Sequence, residues 1–387
     1  MPSEGIEEEL HDQLSLLLRH YAALSPSSPA LIPPAAFPPP LVLSQPSTQQ
    51  WLVDNALGHD AAEEQEQEEG ARNWKRGFWR RILGGIDHGF TERKDRGEAA
   101  AVEDEETHPD LLESFVELMS TTGAGGSGVP GVSRRTYFWG PLRVPPSSWQ
   151  RIATREEGRL ISAGTTGLRT WQACVALANH LLAEPALVRR HQRILELGAG
   201  VGLLSLVSAR LTGAEGGAEE EKPSRIIATD VDHKVLKMLA QNIAENGFED
   251  RLQARMLDWE LASDTQHNAE QLAAWERTAG DSAGRASLVL GADIVYDPSL
   301  VGPLSATLCW LLRPDTTIAP EALVAGTVRN EATWESFLSS CQSYGLRVEP
   351  VAMRSPPDSS GIVGAEGWEG EGSVRLVRIT AGAGPSM

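Results

Sequence analysis

Four carboxylates in this chain, Glu196, Asp230, Asp258 and Asp293, each lie at or just after the end of a short apolar run of the kind that forms a buried strand. Two aromatic residues accompany them, Trp259 directly after Asp258 and Tyr296 three residues after Asp293. Carboxylates gathered on one rim can hold a cation, accept the hydroxyls of a sugar or orient an ammonium group. Trp259 beside Asp258 offers a flat face for a purine and an acceptor for its exocyclic amine, or simply covers the core. Asp230 can accept both hydroxyls of a ribose, or cap the helix that follows from His233. Trp171 has the same two readings as Trp259.

Arg193 to Leu206 reads RILELGAGVGLLSL, an apolar strand that runs into glycines at alternate positions and then into a helix. Gly198, Gly200 and Gly202 permit positive φ and the close approach of a ligand, and the helix from Leu203 turns its free amides toward that ligand. A dinucleotide site needs GxGxxG, whereas this loop is ExGxGxG with Leu203 in the third-glycine position. Glu196 also sits badly beside a pyrophosphate. It suits a cationic or hydroxylated ligand such as the methionine and ribose ends of S-adenosylmethionine.

The elements that must position these residues alternate regularly. Strands are expected at Arg225 to Thr229, Leu252 to Leu257, Ser287 to Gly291, Ala322 to Gly326 and Leu346 to Val351, with helices at His233 to Asn246, Pro303 to Leu312 and Ala332 to Tyr344. A last strand, Ser373 to Thr380, arrives without an intervening helix and implies an antiparallel hairpin at the sheet edge. This is an α/β doubly wound sheet, which binds ligands at the carboxyl ends of its strands. Before the glycine loop, strand-like pairs are expected at Thr136 to Leu142 with Trp149 to Ala153, and again from Gly158 to Ser162. A helix beginning near Thr170 would bring Trp171 within reach of the ligand. Thr212 to Ser224 and Asp264 to Ala286 read as polar surface loops.

The 387 residues carry 34 Lys and Arg against 53 Asp and Glu, a formal charge of −19. Residues 1–130 hold 23 of the acids and 9 of the bases, so the acidity belongs mainly to that part. It is expected to be a mainly helical N-terminal extension with acidic and proline-rich disordered segments, followed by a main domain over 135–383. A helix over 6–24, a proline-rich linker from Pro26 through Pro40, short helices at Gln49 to Leu57 and Leu111 to Met119, and a glycine-rich hinge at Thr121 to Gly131 make up its plan. Arg72 to Arg96 is a basic island interleaved with Trp74, Phe78 and Trp79. Such a composition can bind nucleic acid, but with acids on both sides it reads better as an amphipathic helix docking its aromatics on a neighbour. Cys174, Cys309 and Cys341 form no metal or disulfide framework, the first residues fit no presequence, and no apolar run spans a bilayer. A soluble cytosolic protein is expected, with no bound metal. Its oligomeric state is left open.

The glycine loop from Glu196 to Gly202, Asp230, the Asp258 and Trp259 pair and GADIVYD at Gly291 to Asp297 together resemble the seven-β-strand, class I, Rossmann-like methyltransferases, and more narrowly their protein-lysine branch. SAGTTGLRTW before the loop and LVAGTVRN at Leu323 to Asn330 resemble the eukaryotic elongation factor 2 lysine methyltransferases. The resemblance implies S-adenosylmethionine as donor, contacted by Trp171, Glu196, Gly198, Ala199, Gly200, Gly202, Asp230, Asp258, Trp259 and Ala292, and a lysine of elongation factor 2 as acceptor. Asp293 and Tyr296, the DxxY element, would be the catalytic pair. Their chemistry makes sense independently of the resemblance: a lysine of pKa about 10.4 must lose its proton at a cost of about 4.6 kcal/mol at pH 7, and Asp293 could orient the ammonium while Tyr296 desolvates it. Alternatively, Asp293 caps the strand-to-loop turn and Tyr296 is a packing aromatic. Transfer to RNA or a small molecule, and a donor-binding protein without turnover, are the competing functions.

Overall fold

The computed structural model describes residues 8–25, 28–57, 69–98, 105–120, 132–157, 167–213, 224–279, 286–313, 319–357, 360–363 and 373–382. The expected hinge at Thr121 to Gly131, the strand at Gly158 to Ser162 and most of the loop at Thr212 to Ser224 lie outside them. The chain divides into two compact units, Met1–Arg151 with Asp358–Trp368, and Ile152–Pro357 with Glu369–Met387.

The first unit is built on α1 (Glu8–Ala23), α2 (Pro40–Leu43), α3 (Pro46–Leu52), α4 (Glu69–Arg93) and α5 (Pro109–Ser120), followed by strand β1 (Val132–Trp139). Leu14 and Leu17 of α1, Trp51 of α3 and Phe78, Trp79, Ile82 and Ile86 of α4 form one buried cluster. The basic island is thus a core helix whose aromatics face inward, Phe78 and Trp79 packed tilted and edge-on against Tyr21 and Trp74 stacked on Phe78. Its bases turn to neighbours: Arg81 donates to the Pro29 carbonyl, Arg76 to the Leu118 carbonyl, and Arg93 pairs with Glu98 and Glu105. The proline-rich stretch is not a bare linker, since Ile32, Ala36 and Leu43 are buried. Two glycines one turn apart on α4 explain how it fits. A Cβ at Gly85 would fall 2.6 Å from the Leu43 side chain, and one at Gly89 would fall 2.1 Å from the Pro40 carbonyl oxygen. These bare positions form the groove into which α2 settles.

The second unit continues β2 (Gln150–Glu157) into α6 (Gln172–Ala183), α7 (Ala186–Arg189), β3 (Arg193–Leu197), α8 (Leu203–Thr212), β4 (Arg225–Asp230), α9 (His233–Glu245), β5 (Leu252–Met256), α10 (Glu260–Ser263) and α11 (Ala269–Ala279). Then come β6 (Leu288–Ala292), α12 (Val301–Leu311), β7 (Glu321–Thr327), α13 (Glu331–Ser343), β8 (Leu346–Val351) and β9 (Val374–Ala381). Seven strands lie in the order β5-β4-β3-β6-β7-β9-β8. Neighbours from β5 to β7 are parallel, and β9 enters antiparallel between β7 and β8, which makes the expected hairpin at the edge. β6 holds an apolar run and β3 is buried along nearly its whole length, Glu196 included, because helices cover both faces.

The helix starts follow local chemistry. Asp232 accepts from the amides of Lys234 and Val235 at 2.7 and 3.3 Å to open α9, and Asn330 accepts from Ala332 at 3.0 Å to open α13. Asn242 of α9 then donates to the Val201 carbonyl at 2.8 Å and accepts from Arg155 of β2 at 2.8 Å, tying the glycine loop to β2.

One expected loop contains a helix. Asp264 to Ala286 reads as polar because Leu272 and Trp275 are its only large apolar residues, yet α11 forms there. Leu272 is buried, and Trp275 packs edge-on against Trp310 at 5.7 Å and donates to the Met256 carbonyl at 2.7 Å. Two apolar residues three apart, one of them a tryptophan, suffice to seat it.

Candidate functional site

Parallel pairing brings the carboxyl ends of β3, β4 and β6 to one side of the second unit. There a cavity of about 460 Å³ opens, lined by Trp171, Glu196, Gly198, Ala199, Gly200, Asp230, Asp258, Trp259, Ala292, Asp293 and Tyr296. Every residue picked from the sequence is on this wall except Gly202. That glycine has φ +94°, and a Cβ on it would lie 2.3 Å from Leu239 of α9. It lets α9 close on the start of α8.

The other two loop glycines shape the cradle. Gly198 has φ +60°, and a Cβ there would fall 2.7 Å from Ile294 Cγ2. Gly200 has φ +55°, with the Gly167 carbonyl oxygen 3.0 Å from where its Cβ would be. Ile294 therefore props the loop from below, a role the sequence did not suggest because the residue sits between the conspicuous Asp293 and Tyr296. The Ala199 amide donates to the Thr229 carbonyl at 2.8 Å, and the Gly200 amide donates to Asp230 Oδ2 at 3.3 Å. The turn is thus fixed to β4 by its own amides.

Glu196 is 2 % exposed and accepts a hydrogen bond from the Ser205 hydroxyl of α8. Burial pushes its carboxyl up to about 8, and the nearby negative charge of Asp230 adds to the effect. Burial also raises Asp230, against the pull of amide hydrogen bonds from Asp232, at 3.0 Å, and Gly200. Two carboxyls that water cannot stabilise will favour a cation or a set of hydroxyl donors. Asp258 accepts from the Glu260 amide at 3.0 Å, and Trp259 begins α10 with its ring against the glycine loop.

Asp293 is engaged inward. It adopts φ +54°, in the left-handed region that costs a non-glycine residue energy. Its Oδ2 accepts from the Ala173 amide at 2.8 Å and from the Thr327 hydroxyl at 3.2 Å, while Oδ1 accepts from the Thr327 amide at 2.8 Å. Arg329 lies 3.9 Å from Oδ1. The carboxylate thus braces the first turn of α6 against the end of β7, a long-range brace and not a cap of its own strand-to-loop turn. Tyr296 is 56 % exposed at the mouth, and Asp297 beside it caps a short turn through the Ser299 amide at 2.9 Å.

Trp171 stands immediately before α6. The segment leading to it is held by Glu156, a buried residue of β2 that the sequence did not single out. Its Oε1 accepts from the hydroxyls of Thr154 and Thr170 at 2.7 and 2.8 Å, and its Oε2 accepts from the Thr170 amide at 3.1 Å. The expected strand ended at Ala153, three residues short of this glutamate. A buried acid flanked by threonines would have been the signal. Among the described residues, no cluster of three or more His, Cys, Asp or Glu is placed to hold a metal ion.

Among the described residues on this wall, seven carry carboxylates (Glu196, Asp230, Asp232, Asp258, Glu260, Asp293 and Asp297) and one, Arg169, carries a guanidinium. A cavity of this sign and size fits a cationic nucleoside. The glycine cradle, the purine-sized face of Trp259 and the carboxyls of Glu196 and Asp230 suit S-adenosylmethionine, the donor used by methyltransferases.

Residues 155–343 match a family described as lysine methyltransferase. The protein-lysine N-methyltransferase EFM3 of Chaetomium thermophilum is 33 % identical over 267 residues, covering 66 % of this chain and 72 % of its own. The human protein-lysine N-methyltransferase EEF2KMT is 29 % identical over 260 residues, covering 64 % of this chain and 69 % of its own. Among solved structures, an O-methyltransferase from Bacillus cereus in complex with SAH aligns at 13 % identity and a TM-score of 0.33, over 53 % of this chain and 80 % of that one, too weak a likeness for residue-level comparison. The fold is that of a class I methyltransferase. The chain belongs to the lysine methyltransferase family, whose members are S-adenosylmethionine-dependent enzymes.

Proposed function

We propose that this enzyme transfers a methyl group from S-adenosylmethionine to a lysine of elongation factor 2 in the cytoplasm. The observation that carries the reading is the sign of the cavity, seven carboxylates against one guanidinium, which draws in both a sulfonium donor and an ammonium acceptor. The narrower choice of elongation factor 2 is supported by SAGTTGLRTW and LVAGTVRN, the two stretches that resemble the enzymes acting on that factor.

S-adenosylmethionine supplies an electrophilic methyl group. The chain must hold the donor, exclude water and present a neutral amine in line with that group. In this reading Glu196 faces the donor's ammonium, Asp230 takes the ribose hydroxyls, Asp258 and Trp259 take the adenine, and Ala199 and Ala292 leave room for it. Trp171, Gly198 and Gly200 complete the contact. Tyr296 offers its ring to the incoming side chain, and Leu300 and Pro303 add apolar wall that favours loss of the ammonium proton. Asp293 acts as a positioning residue that sets α6 and Trp171 against the strand ends.

The test is incubation with labelled S-adenosylmethionine and a eukaryotic lysate, followed by identification of the labelled species. Label is expected on a lysine of elongation factor 2. Label in RNA with none in protein would overturn the reading; the inward-facing aromatics of α4 already remove the feature that favoured a nucleic-acid acceptor.

A further inference from the structure

Arg169 and Arg329 reach the mouth of the cavity from separate stretches, one just before α6 and one just after β7. Their guanidinium carbons lie 5.2 and 5.3 Å from the centre of the Trp171 ring. Arg169 lines the cavity, and Arg329 keeps 42 % of its side chain exposed. Asp293, 3.9 Å from Arg329, spends its oxygens on the amides of Ala173 and Thr327 and on the Thr327 hydroxyl.

A cation over an aromatic ring is oriented by it without being neutralised. Two guanidiniums therefore share one indole at the edge of a wall that is otherwise acidic, Arg329 at the same time within ion-pair reach of Asp293. Guanidinium is the side chain that recognises a carboxylate by paired hydrogen bonds, and an indole that fixes its plane lowers the entropy cost of that recognition.

We propose that Arg169 and Arg329, held on Trp171, receive a carboxylate of the acceptor protein, an Asp or Glu side chain near the target lysine, and so fix the direction in which the acceptor lies across the cavity. This rests on the protein-lysine reading above. The exposure of Arg329 places the receptor where an acceptor arrives, at the surface, and a carboxylate belonging to the donor is the competing source that the test must separate.

The experiment compares the wild type with Arg329→Gln, Arg169→Gln and Arg329→Lys. Two quantities are read: affinity for S-adenosylhomocysteine, and label transferred from S-adenosylmethionine to protein in eukaryotic lysate at limiting acceptor. The Gln variants are expected to lower protein labelling about tenfold while S-adenosylhomocysteine affinity stays within about twofold, and Arg329→Lys is expected to recover part of the loss. Retained S-adenosylhomocysteine binding also certifies that each variant is folded. A parallel fall in S-adenosylhomocysteine affinity assigns the carboxylate to the donor and overturns the proposal, as does unchanged labelling in both Gln variants. Label entering RNA, or no label from the wild type, overturns this proposal and the protein-lysine reading together.

Discussion

Burial favours the protonated form of Glu196, a carboxyl that solvent would otherwise hold ionised at neutral pH. Its carboxyl is pushed up to about 8 by burial, whereas in an unfolded chain it titrates near 4.3. A raised carboxyl pKa means that the folded state binds more protons than the unfolded state between those values, so stability falls as pH rises through that window. Melting curves between about pH 5 and 9 are expected to show this decline in the wild type and a flatter profile in Glu196→Gln. Identical slopes would remove Glu196 as the source. A donor ammonium favours the ionised carboxylate, so S-adenosylhomocysteine is expected to bind more tightly as pH rises toward 8.

Asp293 gives a prediction that separates bracing from direct contact. In Asp293→Asn the left-handed φ is still tolerated, but an amide NH₂ must face the Ala173 or Thr327 amide. Loss of melting temperature, of about 1–3 kcal/mol in stability, is expected together with weaker S-adenosylhomocysteine binding, because Trp171 directly precedes α6 and shifts with its first turn. Unchanged melting and donor binding with abolished transfer would assign Asp293 to the ammonium instead. The sequence could place Asp293 at a strand end but not settle this choice. The amides it holds lie 120 and 34 residues away, and nothing local announces them.

At the scale of elements, the α/β alternation could be read from sequence because the central parallel strands, covered on both faces, are predominantly apolar. Most expected boundaries of β3 to β9 therefore fall within a residue or two of those observed. Elements seated by few contacts were harder to read. α11 depends on Leu272 and Trp275 in a polar stretch, and α2 depends on glycines of a different helix. The glycine groove on α4 can be tested with an internal control. A methyl group on Gly84 would meet nothing within 4 Å, so Gly84→Ala is expected to stabilise by up to about 1 kcal/mol through helix propensity. Gly89→Ala places the same methyl 2.1 Å from the Pro40 carbonyl oxygen and is expected to destabilise. Denaturant midpoints of the two variants check both signs; a gain at both positions would mean that α2 does not pack as described.

For the whole molecule, the charge of −19 makes the enzyme a poor partner for nucleic acid at long range and a good one for a basic protein surface. Transfer to protein is therefore expected to weaken with added salt through the acceptor KM, while binding of S-adenosylhomocysteine changes little, since the buried Glu196 and the half-buried Asp230 are poorly screened. The central claim is that the acid-lined cavity joins a methyl donor to a lysine of elongation factor 2. Its most direct test is mass spectrometry of purified eukaryotic elongation factor 2 after incubation with this enzyme and S-adenosylmethionine. Methyl groups on one lysine of the factor, absent without enzyme, are the predicted result. An unmodified factor in the presence of enzyme that demonstrably binds S-adenosylmethionine would contradict it.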